Sequence, residues 1–368
     1  MKKLLVYHIG HTKGGVSEVV FNLLKCEYFK DFEITLITLD NLQTNYMKEI
    51  ENRGYKLIML RSISNSLIGH YSDVKRIFQD KYDFFWYNTG ELLDYKILKA
   101  AKNSGAQVIT HIHGLFLEDD YYNRFKKMLI KVLKPYIEKR YYKYNDVFIG
   151  CVDEIREKMI NPKLLKGKRF FLLRNSVDIE KFKFNKEKRQ QMRREIDAKE
   201  GDIVLGAVGA LCKIKNYIFL LNVLTKLPLN YKLILIGEGD DKITIEQKII
   251  NLNLQERVKL LGRKDNVSDY FSAMDIYCLS SLHEGLGLAA IEAQACNLPV
   301  VIGDNLSKLH VANERAKIAL FNDINSWRKE ILSVDVYHNR ELYDDSWINQ
   351  YDLSSMQKKF CEILNSMI

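Results

Sequence analysis

Proline occurs only four times in 368 residues, and no segment is Pro-rich or of low complexity, which removes the extended and disordered classes. Six cysteines (Cys26, Cys151, Cys212, Cys278, Cys296, Cys361) are scattered without a CxxC pair or a histidine at zinc-ligand spacing, so no metal site is expected. They read as reduced core residues of a cytoplasmic protein. No run approaches the roughly 18 apolar residues of a spanning helix, and the apolar start of MKKLLVYHIGHTKGG breaks at His8 and Gly10, too early for a signal peptide. The expectation is a chain neither embedded nor exported. A formal charge of +9 would suit nucleic acid. Zinc-finger spacing, an RRM signature and a basic arm are all missing, however, and the charges are spread along the chain. Anionic lipid headgroups or an anionic small substrate fit that charge equally well.

What is present is a repeated β/α beat. Apolar runs KLLVYHI, FEITLIT, YKLIML, YDFFWYN, AQVITHI and DVFIGCV alternate with helical segments over residues 3–150, and the beat resumes with IVLGAVG, YKLILIG, RVKLLG, MDIYCLS and LPVVIG. Runs of that kind are strands of a parallel sheet covered on both faces. The pattern predicts α/β architecture with two Rossmann-like doubly wound domains, residues 1–175 and 176–345, facing one another across a cleft. The join falls near FFLLRNSVDIEKF, and the charged stretch NKEKRQQMRREIDAKEGD after it reads as an exposed helix or loop. Residues 346–368 form a C-terminal helix expected to return to the N-terminal domain, with Phe360, Ile363, Leu364 and Met367 at helical spacing.

Ligands of open α/β sheets bind beyond the carboxyl ends of the strands, and the motifs follow strands. Gly14 and Gly15 precede a helix, where backbone N–H groups and the helix dipole receive an anion; the segment is neither a Walker A motif nor a GxGxxG fingerprint, and a plain tight turn competes with the anion reading. In VITHIHGLF, alternation sends His111 and His113 to one face, so one or both could point into the cleft, with His113 favoured at the strand end. Lys213 and Lys215 stand between a strand and a helix, where a lysine neutralises phosphate or is simply solvated. Gly237 and Glu238 follow another strand in a turn read as approaching a ligand closely. Finally, HEGLGLAAIE sets Glu284 in a loop and Glu292 on a helix, up to roughly 12 Å apart at 1.5 Å per residue, a separation suited to one elongated ligand held at two polar points. Either acid alone is explained by a helix dipole.

The E-x7-E pattern in HEGLGLAAIE, continuing into EAQACNLPVV, resembles the signature of glycosyltransferase family 4, retaining GT-B enzymes that use nucleotide sugars. The resemblance runs in order through Gly14-Gly15, HIHG, NSVD at 175–178, VGALCKIKN, LILIGEGD and MDIYCLSSLHEGLGLAAIEAQA, and is nearest to the branch working on bacterial capsular, exopolysaccharide or lipopolysaccharide chains. It implies Glu284 beside the donor sugar, Glu292 on the ribose hydroxyls, and the amides of Gly285, Leu286, Gly287 and Leu288 facing sugar and diphosphate. It also implies Lys215 on the leaving diphosphate, His113 near the reacting carbon and Gly15 closing over the phosphates. The donor would be a nucleotide-diphosphate sugar, UDP-linked by family habit, and the acceptor a saccharide or lipid-linked saccharide. No cofactor and no metal are expected, since no DxD motif occurs, and attack on the donor's front face needs no enzymic nucleophile.

Family members commonly carry an arginine where this chain has Ala210, and Lys213 is the candidate replacement cation. The same departure admits a rival, a weakened GT-B subunit that stabilises a partner transferase; an epimerase is a third reading. The stretch YYNRFKKMLIKVLKPYIEKRYYKY alternates Phe125, Leu129, Leu133 and Ile137 with Lys126, Lys127, Lys131, Lys134, Lys139 and Arg140, a pattern for peripheral contact with an anionic membrane or for a solvated domain helix. Pro135 is expected to kink or restart it.

Overall fold

The computed structural model describes residues 1–9, 15–39, 44–63, 65–90, 92–114, 124–165, 167–306, 315–336, 339–341 and 351–367. They divide into two units, Met1–Asn175 with Ser354–Ile368, and Ser176–Leu353.

In the first unit strands β1 (Lys2–Ile9), β2 (Phe32–Leu39), β3 (Lys56–Leu60), β4 (Phe84–Thr89), β5 (Gln107–Ile112), β6 (Val147–Gly150) and β7 (Arg169–Leu172) pair in the order β3-β2-β1-β4-β5-β6-β7, all parallel. Helices α1 (Gly15–Leu24), α2 (Thr44–Asn52), α3 (Leu67–Ile77), α4 (Tyr95–Asn103), α5 (Arg124–Lys143) and α6 (Asp153–Met159) connect them. β4 shows why the apolar runs were legible: all of FFWYNT is buried, because helices cover both faces of the sheet. α5 carries Pro135 inside one helix, so the segment does not restart there. A proline removes only its own N–H and crowds one carbonyl, which a long helix survives.

The second unit contains α7 (Ile179–Phe182), α8 (Lys186–Glu195), β8 (Ile203–Val208), α9 (Tyr217–Leu224), β9 (Tyr231–Ile236), α10 (Lys242–Asn251), β10 (Val258–Gly262), α11 (Val267–Ala273), β11 (Ile276–Leu279), α12 (Leu288–Ala295), β12 (Val300–Gly303), β13 (Lys317–Ala319) and α13 (Ile324–Leu332). Its parallel sheet runs β10-β9-β8-β11-β12-β13. Alternation along the strands sorts side chains between two cores: Leu205, Leu233, Leu235 and Cys278 on one face, Val204, Ile234, Ile236 and Tyr277 on the other. The charged stretch expected to be exposed forms α8, which is docked instead. Arg189 and Arg193 donate to Asp275 at 2.6 and 2.9 Å and to the carbonyls of Ser272, Ala273 and Met274. A partner more than eighty residues away turns a charge run into an anchor.

Helix α14 (Leu353–Asn365) packs in the first unit, burying Met356, Phe360, Ile363 and Leu364, with Phe360 against Trp86 at 4.6 Å between ring centroids. Gln357 donates to the Asn22 carbonyl at 2.6 Å, and Tyr28 donates to Asn365 at 2.7 Å.

Candidate active site

Strand order reverses between β8 and β11 in the second unit, and loops at such a switch point open a crevice at the carboxyl edge of the sheet. Gly209 follows β8 with φ +150, after which the chain turns through Ala210 and Leu211 into a short helical turn, Lys213–Lys215. Asn216 (φ +54) then reverses direction and opens α9. The loop after β11 is laced to this turn. Ser280 Oγ donates to the Lys215 carbonyl at 2.9 Å, Leu282 N–H to the Ile214 carbonyl at 2.8 Å, and Asn305 holds the carbonyls of Ser281 and Leu282.

That lacing brings Lys215 and Glu284 together. Lys215 Nζ donates to Glu284 Oε1 at 2.6 Å, with side chains 22% and 11% exposed, and Ser281 Oγ donates to the same oxygen at 2.6 Å. Nearby lie two buried phenols. Burial pushes the Tyr217 hydroxyl pKa far up, reinforced by the charges of Glu284 and Cys212. Burial likewise raises that of Tyr277, with Tyr217, Glu284 and Glu292 adding to it. Tyr277 therefore lies within electrostatic reach of both acids. Glu292, half-buried, rides on α12 one turn past Gly287, whose left-handed backbone (φ +58, ψ +55) caps the helix without a side chain. Gly285 and Leu288 are half-buried, while the Leu286 side chain is buried in the fold, so only its main chain is available to a ligand.

Gly237 proves to serve packing between loops. A Cβ there would stand 2.0 Å from the Gly209 carbonyl oxygen, and its φ of +146 suits glycine alone. Leu211 N–H donates to the Glu238 carbonyl at 2.9 Å, and the Glu238 side chain is exposed. The observed close approach at Gly237 is thus backbone to backbone. Lys213 is exposed on the same turn from which Lys215 points toward Glu284.

In the first unit Gly14 lies outside the described residues, and Gly15 is the exposed first residue of α1. His113 follows β5 half-buried; its Nε2 is 2.7 Å from Asn88 Oδ1, and its backbone N–H donates to the Thr89 carbonyl at 3.0 Å. His111 does not reach a surface. It is fully buried between Trp86 and His113, at ring-centroid distances of 6.1 and 3.9 Å, and burial followed by the charge of His113 pushes its pKa well down. It is a core histidine. Two site residues escaped sequence reasoning, Ser281 and Asn88. Ser281 had a faint signal, three places before Glu284; Asn88 had one in the strand-ending WYNTG.

The architecture is shared by solved structures. Anabaena HepE in complex with UDP and glucose superposes with a TM-score of 0.78 over 100% of both chains at 16% identity. WaaG, described as a glycosyltransferase involved in lipopolysaccharide biosynthesis, gives 0.70 over 98% of this chain and 99% of its own. These likenesses establish the two doubly wound α/β domains expected from the apolar beat and the GT-B fold that the family resemblance implied. Among curated proteins, the putative glycosyltransferase EpsF of Bacillus subtilis is 23% identical over 90% of this chain and 87% of its own length. An Escherichia coli UDP-Gal:alpha-D-GlcNAc-diphosphoundecaprenol alpha-1,3-galactosyltransferase is 25% identical over 87% and 84%. Residues 188–335, which hold the laced loops, Lys215, Glu284 and Glu292, match the family described as glycosyl transferases group 1.

Proposed function

We propose that the chain is a retaining, metal-independent hexosyltransferase. It would move a hexose or N-acetylhexosamine from a UDP-linked sugar to a lipid-linked saccharide in the building of a bacterial surface polysaccharide. The observation that carries this reading is the Lys215–Glu284 ion pair at the switch point, with Ser281 on the same carboxylate oxygen. The names of relatives support the finer assignment, one acting with UDP-Gal on a diphosphoundecaprenol acceptor and one structure holding UDP and glucose.

Glycosyl transfer passes through an oxocarbenium-like state while negative charge gathers on the departing diphosphate. Lys215 and the main-chain N–H groups from Gly285 to Leu288 are suited to that charge, the latter at the start of a helix. In the resting site Glu284 already neutralises Lys215. Binding a diphosphate therefore exchanges partners: Lys215 turns to phosphate, and the released Glu284 takes a hydroxyl of the sugar. Glu292 holds the ribose; for the first unit, the family resemblance gives His113 a role toward the sugar and Gly15, at the start of α1, one toward phosphate.

For the acceptor, α5 offers an amphipathic surface. Met128, Val132 and Tyr136 recur at helical spacing and are exposed, with Leu133 beside them and Lys134 and Lys139 exposed on the same helix. Such a face lies on an anionic bilayer. No helix among the described residues is long and apolar enough to cross one.

A panel of nucleotide sugars incubated with purified protein and a lipid-linked saccharide tests the reading. Release of free nucleotide together with an extended, anomerically retained product is expected for one donor. No transfer from any donor until a second protein is added would favour a weakened partner subunit. Sugar interconversion without an acceptor would favour an epimerase.

A further inference from the structure

Asn88, one residue before the end of β4, is fully buried and in register with His111 of β5. Its amide orientation is settled by one neighbour. Nδ2 lies 3.1 Å from the Tyr7 carbonyl oxygen, which has no proton to give, so the amide must donate there. Oδ1 is then the atom 2.7 Å from His113 Nε2, and it can only accept. Nε2 must therefore carry a proton, and in the neutral imidazole Nδ1 keeps the lone pair. Two further contacts fix the ring's position. Thr89, next along β4, accepts the His113 backbone N–H at 3.0 Å, and the His111 ring lies against the His113 ring at 3.9 Å.

We propose that Asn88 is a positioning residue that locks His113 in the Nε2–H tautomer and fixes the placement of its ring just beyond the end of β5. The kinetic consequence rests on the reading of His113 given above; the tautomer does not.

Nitrogen-15 NMR of histidine-labelled protein at neutral pH reads the tautomer directly. His113 should show a protonated Nε2 and an unprotonated Nδ1, and Asn88→Ala should give a mixture. Asn88→Ser, whose hydroxyl either donates or accepts, shifts the balance the same way and serves if the alanine variant does not fold. Transfer kcat should fall on the order of tenfold in Asn88→Ala through loss of ring placement, with donor KM changed less than about twofold. In a His113→Ala background the same substitution should cost nothing further, because effects acting through one residue do not add. A wild-type His113 carrying its proton on Nδ1 overturns the lock. An equal rate loss in both backgrounds overturns the route through His113. A shifted tautomer with unchanged kcat overturns the kinetic role and the reading of His113 as a sugar-side residue, a failure distinct from the first.

Discussion

Replacing Glu284 by glutamine separates two effects that the resting ion pair combines. Lys215 is held at 2.6 Å by a carboxylate that also accepts from Ser281, and the two side chains are 22% and 11% exposed. A diphosphate that recruits Lys215 must first break this pair. Exposed pairs are worth less than about 1 kcal/mol and breaking a buried one costs about 3–5 kcal/mol. For a partly solvated pair about 2 kcal/mol is the reasonable middle, which corresponds to a dissociation constant about thirtyfold lower once the competition is removed. Glu284→Gln should therefore bind UDP more tightly than the parent while transferring sugar about a hundredfold more slowly, having lost a charged contact to the donor. Lys215→Met should weaken both, with kcat down by about 10² to 10³. Calorimetric titration with UDP and a nucleotide-release assay read the two quantities separately. Weaker UDP binding by Glu284→Gln, or an unchanged kcat, would refute the exchange of partners.

Lys213→Ala should lower the transfer rate by on the order of tenfold if this exposed lysine replaces the cation missing at Ala210; unchanged kinetics would remove that compensation. Gly237→Ala should cost more than about 2 kcal/mol and lower Tm by several degrees in a melting experiment, since its Cβ would meet the Gly209 oxygen at 2.0 Å in a backbone conformation reserved for glycine. Burial opposes charge on His70, yet the Asp94 carboxylate 3.4 Å from its Nε2, the hydrogen bond to the Arg61 carbonyl and the charge of Asp73 raise its pKa above the ordinary 6.5. Its stabilising contribution is thus complete below pH 6.5 and lost as pH rises through the elevated value, so melts across that window should show a fall that Asp94→Asn reduces.

The apolar beat was legible because burial on both faces leaves a strand no polar positions: FFWYNT in β4 and IYCL in β11 are buried throughout. Loop positions were legible for a related reason, since the carboxyl edge of a parallel sheet is where chain direction and ligand sites coincide. The pairings across that edge were not. Lys215 and Glu284 are 69 residues apart, Asn88 and His113 are 25, and Arg189 and Asp275 are 86. Nothing in one sequence tells a solvated arginine from one that will find a buried aspartate.

Gly237 carries the same lesson in backbone form. A glycine after a strand announces close approach without saying to what, and here the neighbouring loop stands where a side chain would begin. Rigidity at Gly209 and Gly237 still bears on chemistry. Two loops locked backbone to backbone leave the Lys215 turn little freedom, so the exchange of partners proposed above would need only a rotation of the lysine side chain. On that proposal the cost of swapping partners is confined to one ion pair, and the site would be charged and discharged without refolding a loop.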